Sequence, residues 1–589
     1  MKPKSHQPEV LFSARGLTVQ AELEETLLSC IRRAGLSVES TCNGRGVCGK
    51  CRVTAQGALT AADDKEREHL VGQPEDVRLA CMARVLGKVR VTLSDDWQRL
   101  KTVADKQNRI IPVKSPIKRI PFTKIEPANA YSYAEVPSIR TVDPQVLNTI
   151  ATWDWKNSPA FGLVYRRELL DVVSDRKPLL GAAVDVGTTS LSLSLFDLER
   201  GVLLGRSAGL NPQTAYGGDV ITRIAYCHRE ENGLFTLRSV LTEKLGHMMD
   251  EALGPDRSRD QVYLMTVAGN TTMLHILAGV HPFSLAMAPY CPTFLQSLML
   301  SGEESGLPIH PRGRAVLLPG VSAYIGADIV AGLAAIDYRS LGGVTLFIDM
   351  GTNGELVLIQ NSDRMMAASC AMGPALEGMN ISCGCRAVPG AIDSFALDED
   401  LVPQFTTIDG LLPVGICGSG LIDLVASLYE AGLILPGGAF NHDADKRLKD
   451  RLSGDRYHLT ENVFLSQHDI RQVQLAKGAM TAGILTLLEE AGLRIGDMTQ
   501  IVVAGAFGYY VNPDNLKRIG LLPHDYKGPV SFVGNSSLTG ASFALLNNRM
   551  MKEIEKIPTR VRAVELSSHA GFSSRFVASL NFPNYGEMR

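Results

Sequence analysis

The strongest constraint on the fold of this chain is a short turn that its sequence contains twice. VDVGT at residues 184–188 and IDMGT at 348–352 each follow an apolar, strand-like run and precede another one. Their aspartates, Asp185 and Asp349, are 164 residues apart, about the size of one subdomain. Apolar runs and helical patterns alternate from residue 178 to the end, which indicates layered α/β architecture. The repeat therefore predicts two similar lobes that face each other across a cleft.

Both turns carry groups suited to phosphate. An aspartate at a strand end can hold Mg²⁺ through water, and a glycine followed by hydroxyls offers N–H and O–H donors to phosphate oxygens. Carboxylates of the second turn can also orient water at a terminal phosphate. We predict Asp185, Asp349 and Glu355 as the catalytic residues. The predicted phosphate-contacting residues of the two turns are Gly187, Thr188, Thr189, Gly351, Thr352, Asn353 and Gly354.

Two further glycine-rich segments follow strand-like runs. VVAGAFG at 502–508 would let a nucleoside approach the backbone, and GICGSG at 415–420 precedes a helical pattern whose N-terminus would face phosphate or adenosine. The nucleotide-binding residues predicted here are Gly418, Ser419, Gly420, Gly505, Ala506 and Gly508. The sequence contains no Walker A pattern, which excludes a P-loop enzyme.

Taken together, these turns resemble those of the acetate kinase/sugar kinase/Hsp70/actin (ASKHA) superfamily. Residues 326–332 and 534–541 are similar to the two helices that connect its lobes. The resemblance implies a two-lobed, actin-like ATPase fold with ATP and Mg²⁺ as its ligands.

Cysteine is concentrated near the start of the chain, where five of the eleven fall within the first 81 residues. Cys42, Cys48, Cys51 and Cys81 have the number and spacing of thiolates that a [2Fe–2S] cluster requires. Glycines in the 42–51 loop would let the backbone wrap around a cluster and direct N–H groups at its sulfurs. The alternatives are a structural zinc site, which usually pairs two C-x2-C knuckles where this chain has one, or a group of unliganded thiols.

Residues 8–97 resemble the [2Fe–2S] ferredoxins of the adrenodoxin type, which implies a β-grasp fold. We predict a ferredoxin domain at 1–98, a small middle domain at 125–177 and the ATPase domain at 178–589. Residues 99–124 hold eight Lys or Arg and three Pro, which favours an extended, flexible linker. A strand lying along the surface is the alternative for this segment.

Composition limits the possible partners and location. There are 59 Lys and Arg against 62 Asp and Glu, so the net charge of −3 argues against a nucleic-acid partner. No apolar run approaches the roughly 20 residues that span a bilayer, and the first 25 residues lack a signal-peptide pattern. We therefore expect a cytoplasmic protein with no membrane partner.

The order of ferredoxin, linker and actin-like ATPase resembles the reductive activators of corrinoid enzymes over nearly the whole chain. The resemblance implies ATP-dependent, one-electron reduction of Co(II) to Co(I) in the corrinoid protein of a methyltransferase or O-demethylase system. It also implies a homodimer that receives electrons from reduced ferredoxin, flavodoxin or a reductase. Two alternatives stay open at this point: a redox-sensing small-molecule kinase, and an ATP-dependent chaperone that remodels a corrinoid protein.

Overall fold

A computed structural model gives the fold of most of the chain. It describes residues 8–13, 17–34, 36, 38, 44, 46, 49, 51–70, 73–93, 111–122, 139–154, 157, 159–174, 177–505 and 511–583.

The N-terminal module is a five-stranded sheet with one main helix. Its elements are β1 (Glu9–Phe12), β2 (Leu17–Gln20), α1 (Leu27–Arg33), β3 (Arg52–Leu59), α2 (Asp64–His69), β4 (Val77–Leu79) and β5 (Val85–Thr92). The strand order is β2-β1-β5-β3-β4, with β1 and β5 parallel and the other pairs antiparallel. Helix α1 begins at the Thr26 cap and buries Leu27, Leu28, Cys30 and Ile31 against the sheet. Cys30 is therefore a core thiol.

A small four-stranded sheet follows. Its elements are β6 (Ile117–Phe122), β7 (Thr141–Val142), α3 (Pro144–Ala151), β8 (Ala160–Tyr165) and β9 (Glu168–Val173), in the order β6-β8-β9-β7. Alternate residues face opposite sides, because side chains alternate along a strand. Val164 and Val172 pack with α3 in a core of their own, whereas Tyr165 and Val173 join the core of the following lobe.

The prediction of an extended linker at 99–124 is wrong for residues 111–122. β6 pairs antiparallel with β8 over its whole length, and the backbone of Lys114 is hydrogen-bonded to Leu546 and Asn548. The charges that suggested solvated chain have partners here, since Arg119 pairs with Glu199 at 2.8 Å. β6 is an edge strand, where the missing N–H of Pro121 costs little.

The first lobe is built on a six-stranded sheet in the order β12-β11-β10-β13-β15-β14. Its elements are β10 (Leu180–Val186), β11 (Ser190–Asp197), β12 (Leu203–Leu210), α4 (Val220–Arg229), α5 (Gly233–Leu253), β13 (Val262–Gly269), α6 (Thr271–Ala278), β14 (Leu298–Ser301), α7 (Gly302–Ser305), β15 (Arg314–Leu317) and α8 (Ala327–Ala335).

The second lobe has a six-stranded sheet in the order β26-β25-β16-β17-β18-β27, with two three-stranded sheets added, β20-β19-β21 and β22-β23-β24. Its strands are β16 (Val344–Met350), β17 (Gly354–Asn361), β18 (Arg364–Cys370), β19 (Ala391–Leu397), β20 (Pro403–Thr407), β21 (Gly415–Ile416), β22 (Leu452–Ser453), β23 (Arg456–His458), β24 (Phe464–Ser466), β25 (Met498–Ala504), β26 (Val530–Phe532) and β27 (Val561–Ala563). Its helices are α9 (Gly418–Glu430), α10 (Lys446–Lys449), α11 (Gln467–Ala491), α12 (Pro513–Arg518) and α15 (Phe572–Ala578). Helices α13 (Ser536–Leu546) and α14 (Asn548–Ile554) follow β26 in the sequence but pack with the core of the first lobe.

The repeated turn occupies the same place in both lobes. In the first lobe it joins the antiparallel pair β10 and β11, and β13 lies parallel to β10 on the other side. In the second lobe it joins β16 and β17, and β25 lies parallel to β16. The duplication read from the sequence is therefore a duplication of sheet topology.

Helices α8 and α13 pack against each other between the lobes, and glycine makes their close approach possible. A Cβ atom added at Gly540 would lie 2.0 Å from the backbone oxygen of Ala331. A Cβ at Gly332 would lie 2.8 Å from the Ser536 hydroxyl. This helix pair holds the floor of the cleft at a fixed spacing.

We expect Gly540→Ala to destabilise the protein by about 1–3 kcal/mol, because its methyl group must push a backbone carbonyl aside. Denaturant unfolding would measure the loss. Gly496→Ala is the matched control, since a Cβ atom there meets nothing within 4 Å. Equal stability of the two variants would contradict the close helix contact.

Candidate functional site

Two of the four predicted cluster ligands lie within the described residues, and the sheet brings them together. Cys51 directly precedes β3 and Cys81 follows β4, and these strands pair with Arg52 opposite Leu79. The backbone N–H of Cys81 donates to the Cys51 sulfur at 3.4 Å. Cys42 and Cys48 lie outside the described residues.

The loop that carries these cysteines has a backbone that only glycine adopts easily. Gly44, Gly46 and Gly49 have φ values of +82°, +67° and +63°. A side chain at Gly49 would also meet the His69 ring at 3.0 Å. Left-handed glycines beside an N–H directed at a thiol sulfur suit a cluster held by thiolates and backbone donors, so these residues fit a [2Fe–2S] group.

A buried ion pair fixes the second cysteine strand. Glu66 of α2 is 1% exposed, accepts two bonds from the Arg78 guanidinium at 2.9 and 2.8 Å and a third from the Leu79 N–H at 2.8 Å. Arg78 also donates to the Thr60 carbonyl at 2.8 Å. These contacts tie α2 to β4 and hold the segment that leads to Cys81.

The second site is the cleft between the lobes, where four carboxylates face one another. Asp185 and Asp349 end the equivalent strands β10 and β16, and Glu355 lies directly opposite Asp349 in the β16–β17 pair. Asp328 comes from the first turn of α8. Asp328 was missed by the sequence reasoning, although it is the one charged residue at the start of an otherwise apolar connecting helix.

These carboxyl groups hold their protons unusually tightly. Desolvation, with repulsion from Asp328 and Asp185, raises the pKa of Asp349 to about 8. Desolvation also raises the pKa of Asp328 to about 7, with repulsion from Asp185 adding to it and the Ile329 N–H opposing it. Desolvation, together with repulsion from Asp328 and Asp349, raises the pKa of Glu355 well above its ordinary value.

Asp185 is oriented by the second connecting helix. The Ser537 hydroxyl donates to one of its oxygens at 2.7 Å and the Asn535 amide to the other at 2.8 Å. Desolvation raises the pKa of Asp185, and these two hydrogen bonds oppose the shift. Asp185 therefore has a fixed orientation toward the cleft.

Geometry decides how a cation would be held here. Among the described residues, no three carboxylate, histidine or cysteine side chains stand close enough to hold one metal ion. Mg²⁺ keeps several waters and binds through one or two carboxylates together with substrate phosphates. The carboxylate set fits a Mg²⁺-nucleotide held partly through water, as the sequence predicts for Asp185.

The hydroxyls of the two turns meet across the cleft. The Thr189 and Thr352 hydroxyl oxygens are 3.2 Å apart, and each donates to a separate oxygen of Glu377 at 2.8 Å. We call this set the clasp. Glu377 was not predicted as a site residue, because only the fold brings the segment after β18 between the two turns.

Buried polar side chains of the first lobe also hold the first turn in place through hydrogen bonds. The Asn270 amide donates to the Thr188 hydroxyl at 2.9 Å, and the Asn211 amide donates to the Gly187 carbonyl at 2.8 Å. The Arg223 guanidinium is fully buried and donates to the Thr188 carbonyl. Burial lowers the pKa of Arg223 to about 9, which leaves a cation behind the phosphate turn at neutral pH. A buried cation at this place would stabilise bound phosphate.

Small residues keep the turns compact. A Cβ atom at Gly187 would lie 2.7 Å from the Ser190 carbonyl oxygen, and the Gly351 N–H donates to the Asn353 carbonyl at 3.0 Å. A Cβ at Gly354 would meet Met480 at 2.7 Å.

The structure places the two remaining glycine-rich segments differently. Gly505 directly follows β25 with a φ of +103°, and a Cβ atom there would lie 2.4 Å from the Met350 carbonyl oxygen, beside Asp349. Ala506 and Gly508 lie outside the described residues. Gly418, Ser419 and Gly420 begin α9 and pack against β19, where the Ser419 hydroxyl donates to the Asp393 carbonyl at 2.7 Å. This segment packs against β19, and its role in nucleotide binding stays a prediction.

Comparison with known protein families accounts for both ends of the chain. Residues 12–86 match the 2Fe-2S iron-sulfur cluster binding domain. Residues 180–340 match the RACo middle region, and residues 343–588 match the C-terminal domain of RACo, the ASKHA domain. The chain belongs to the RACo family.

The RACo-family matches confirm the predicted fold classes and the predicted cofactors, a [2Fe–2S] cluster and ATP with Mg²⁺. The RACo middle region corresponds to the first lobe, which differs from the small domain predicted at 125–177. The limits predicted for the separate domains remain predictions. None of the described helices is long and apolar enough to cross a membrane.

Individual relatives match between about two thirds and nearly all of the chain. The corrinoid activation enzyme RamQ of Eubacterium limosum is 29% identical over 97% of this chain and 99% of its own. The [Co(II) methylated amine-specific corrinoid protein] reductase of Methanosarcina barkeri is 26% identical over 69% of this chain and 78% of its own. The structure of a reductive activator for corrinoid, iron-sulfur protein superposes with a TM-score of 0.73 at 27% identity, covering 98% of this chain and 99% of that one.

The carboxylate pKa values predict how stability depends on pH. A carboxyl group whose pKa is raised on folding contributes stability below its unfolded pKa of about 4 and loses it as pH rises through its folded pKa. For Asp349 this window runs up to about pH 8. We therefore expect nucleotide-free protein to melt at lower temperature at pH 8 than at pH 6.

Asp349→Asn removes one of these ionisable groups, so the melting temperature should fall less between pH 6 and pH 8 than it does in the wild type. Thermal unfolding at pH 6, 7 and 8 without nucleotide or Mg²⁺ measures the effect, whose limit is about 1.4 kcal/mol per pH unit for one proton. Asp256→Asn, at an exposed carboxylate in the loop after α5, should keep the wild-type profile. Parallel profiles for wild type and Asp349→Asn would show that this carboxyl group is already ionised at pH 6.

Proposed function

We propose that this chain is an ATP-dependent reductive activator of a corrinoid protein, which reduces inactive Co(II) to Co(I) by one electron. The observation that carries the proposal is a ferredoxin module and an ASKHA ATPase in one chain, in an order that a corrinoid activation enzyme matches from end to end. We place the partner in a methyltransferase, O-demethylase or related one-carbon system.

The ferredoxin module would supply the electron. When bound, the [2Fe–2S] cluster carries one electron, which matches the single electron that separates Co(II) from Co(I). Cys42, Cys48, Cys51 and Cys81 would hold it, and the Glu66–Arg78 pair would keep the Cys81 segment in place. We propose reduced ferredoxin, flavodoxin or a reductase as the electron donor.

The cleft would supply the energy. Asp185, Asp349 and Glu355 would act on Mg-ATP, with Asp328 as a fourth carboxylate and the residues of both turns contacting the phosphates. Bound Mg²⁺ would favour the ionised carboxylates, so these groups would lose the protons that they hold in the empty cleft. A nucleotide can shift a conformational equilibrium only by binding its two states differently, and a change in the angle between the lobes would provide two such states.

Assembly and location complete the proposal. The resemblance to corrinoid activators supports a homodimer that docks the corrinoid protein on its ATPase domain. Eleven cysteines, four of them in the ligand set, favour the cytoplasm, where thiols stay reduced.

The decisive experiment is anaerobic visible spectroscopy of a Co(II) corrinoid protein mixed with this protein and a reductant, with and without Mg-ATP. We expect the Co(I) absorption only when ATP is present. Cys51→Ser should abolish Co(I) formation and leave ATP hydrolysis intact, whereas Asp349→Asn should abolish both and keep a reducible cluster. Cys291→Ser, at an exposed cysteine of the first lobe, is the matched control and should behave as wild type.

Other outcomes point to the alternatives. Co(I) formation by Cys51→Ser would indicate a chaperone-like ATPase to which another protein supplies the electron. A phosphorylated metabolite formed in equal amount with ADP, without Co(I), would indicate a redox-sensing kinase.

A further inference from the structure

Among the described residues, an arginine of the ferredoxin module contacts the first lobe. Arg32, in α1, donates from its guanidinium to the backbone oxygen of Ala215 and lies over the Tyr216 ring at 5.2 Å from the ring centre. Tyr216 in turn packs against Tyr226, with ring centres 5.1 Å apart. We call these contacts the dock.

The dock lies on the cluster side of the ferredoxin module. A cavity of about 430 Å³ separates the module from the lobe, and Gly44 and Cys81 line it on one side, Tyr216 and Tyr226 on the other. When the module is docked, the part of its surface formed by Gly44 of the cysteine loop and by Cys81 therefore faces the first lobe.

Buried side chains join the dock to the first phosphate turn. Ala215 ends the short 3-10 turn Pro212–Ala215, and Gln213 in that turn accepts from Arg223 at 3.1 Å. The same guanidinium donates to the Thr188 carbonyl and, at 3.0 Å, to the Gly217 carbonyl. One buried arginine thus spans the phosphate turn and both flanks of the docking residues.

A second link runs parallel to the first. The Asn211 amide donates to the Gly187 carbonyl at 2.8 Å, and the Asn211 carboxamide oxygen accepts from the Gln213 N–H at 3.0 Å. Asn211, Gln213 and Arg223 are each 0% exposed. Because close-packed interiors transmit strain, the phosphate turn and the docking turn cannot shift independently.

Nucleotide must move the phosphate turn. The clasp holds the Thr189 and Thr352 hydroxyls 3.2 Å apart, which is hydrogen-bonding distance and leaves no room for a phosphate group between them. Phosphates entering between the turns must separate these hydroxyls and replace their bonds to Glu377. That displacement pulls on Arg223 and Asn211, and through them on the carbonyl that Arg32 binds.

We propose that Mg-ATP binding in the cleft loosens the dock and releases the ferredoxin module from the first lobe. This rests on the proposed function, in which the cluster must leave the ATPase surface to reach the cobalt of a partner. Coupling between two binding events is reciprocal, so the docked module must weaken nucleotide binding by the same factor. Release of the module would then be tied to loading of the cleft with ATP.

The test compares Arg32→Ala with wild type, using the full chain with its cluster. Small-angle X-ray scattering with and without a Mg²⁺-bound, non-hydrolysable ATP analogue reports whether the module is docked. We expect the analogue to increase the radius of gyration of wild type. Arg32→Ala should be expanded already and should not respond further.

Calorimetric titration of the analogue measures the reciprocal effect. Arg32→Ala should bind it at least about 5-fold more tightly than wild type, the lower end of typical coupling between sites. Arg67→Ala is the matched control, because Arg67 lies in α2 of the same module and pairs with Asp64 at the surface. Tyr216→Ala, on the lobe side of the dock, should reproduce both effects even if Arg32→Ala loses its cluster.

Three results would overturn the proposal. Identical scattering of wild type and both dock variants would show that the dock does not exist in solution. Expanded variants with unchanged or weaker analogue binding would show that the dock is not coupled to the cleft in this direction. A wild-type radius of gyration that stays constant on binding the analogue would show that nucleotide does not release the module. No readout uses a corrinoid protein, so failure here is separate from failure of the proposed function.

Discussion

Burial of four neighbouring carboxyl groups at the cleft floor, with repulsion between them, is the constraint on which the rest of this structure depends. Two duplicated strand ends supply Asp185 and Asp349, a neighbouring strand supplies Glu355, and a connecting helix supplies Asp328. Without a cation, this set stays partly protonated at neutral pH, as the pKa values of Asp349 and Asp328 indicate. Mg²⁺ bound together with the nucleotide would supply the missing positive charge, so the fold favours a loaded cleft over an empty, fully ionised one.

The close-packed helices α8 and α13 make the floor of the cleft rigid, whereas the clasp joins the two turns through hydrogen bonds that can be exchanged. Glycines at the α8–α13 contact let the helix backbones touch, which leaves little freedom at the floor of the cleft. Hydroxyls and Glu377 join the turns at its mouth through hydrogen bonds that phosphate oxygens can replace. Motion is therefore easiest at the turns, which we predict to contact the nucleotide and to which the buried Arg223 and Asn211 are hydrogen-bonded.

Sequence predicted what local pattern determines. The repeated pattern at 184–188 and 348–352 predicted two equivalent hairpins. In each, an apolar run that favours a strand is followed by Asp-x-Gly-Thr, which favours a tight turn into the next strand. Cysteine spacing likewise identified Cys51 and Cys81 as neighbours, and pairing of β3 with β4 supplies the reason. Asp328 and Glu377 escaped prediction because their role comes from elements that only tertiary packing brings to the cleft.

The error over residues 111–122 has a similar cause. Lysine, arginine and proline indicate solvated chain when counted along a sequence, yet an edge strand accepts Pro121, and Arg119 finds Glu199 on a distant hairpin. Composition reports how a segment would behave alone, not which partners the fold supplies.

Electron transfer by itself gives no reason for this chain to bind ATP, since a ferredoxin needs no nucleotide to exchange one electron. ATP has a role if its binding energy changes the position of the ferredoxin module and the state of the electron acceptor, and not the cluster itself. The ferredoxin module is attached to the first lobe through Arg32, and the same lobe carries the turn that we predict to contact the phosphates of ATP. An ATPase built in this way controls where the electron carrier is and when it is free. Such control matters most for an acceptor that is hard to reduce, because a carrier released only in the ATP-loaded state does not pass its electron to easier acceptors beforehand.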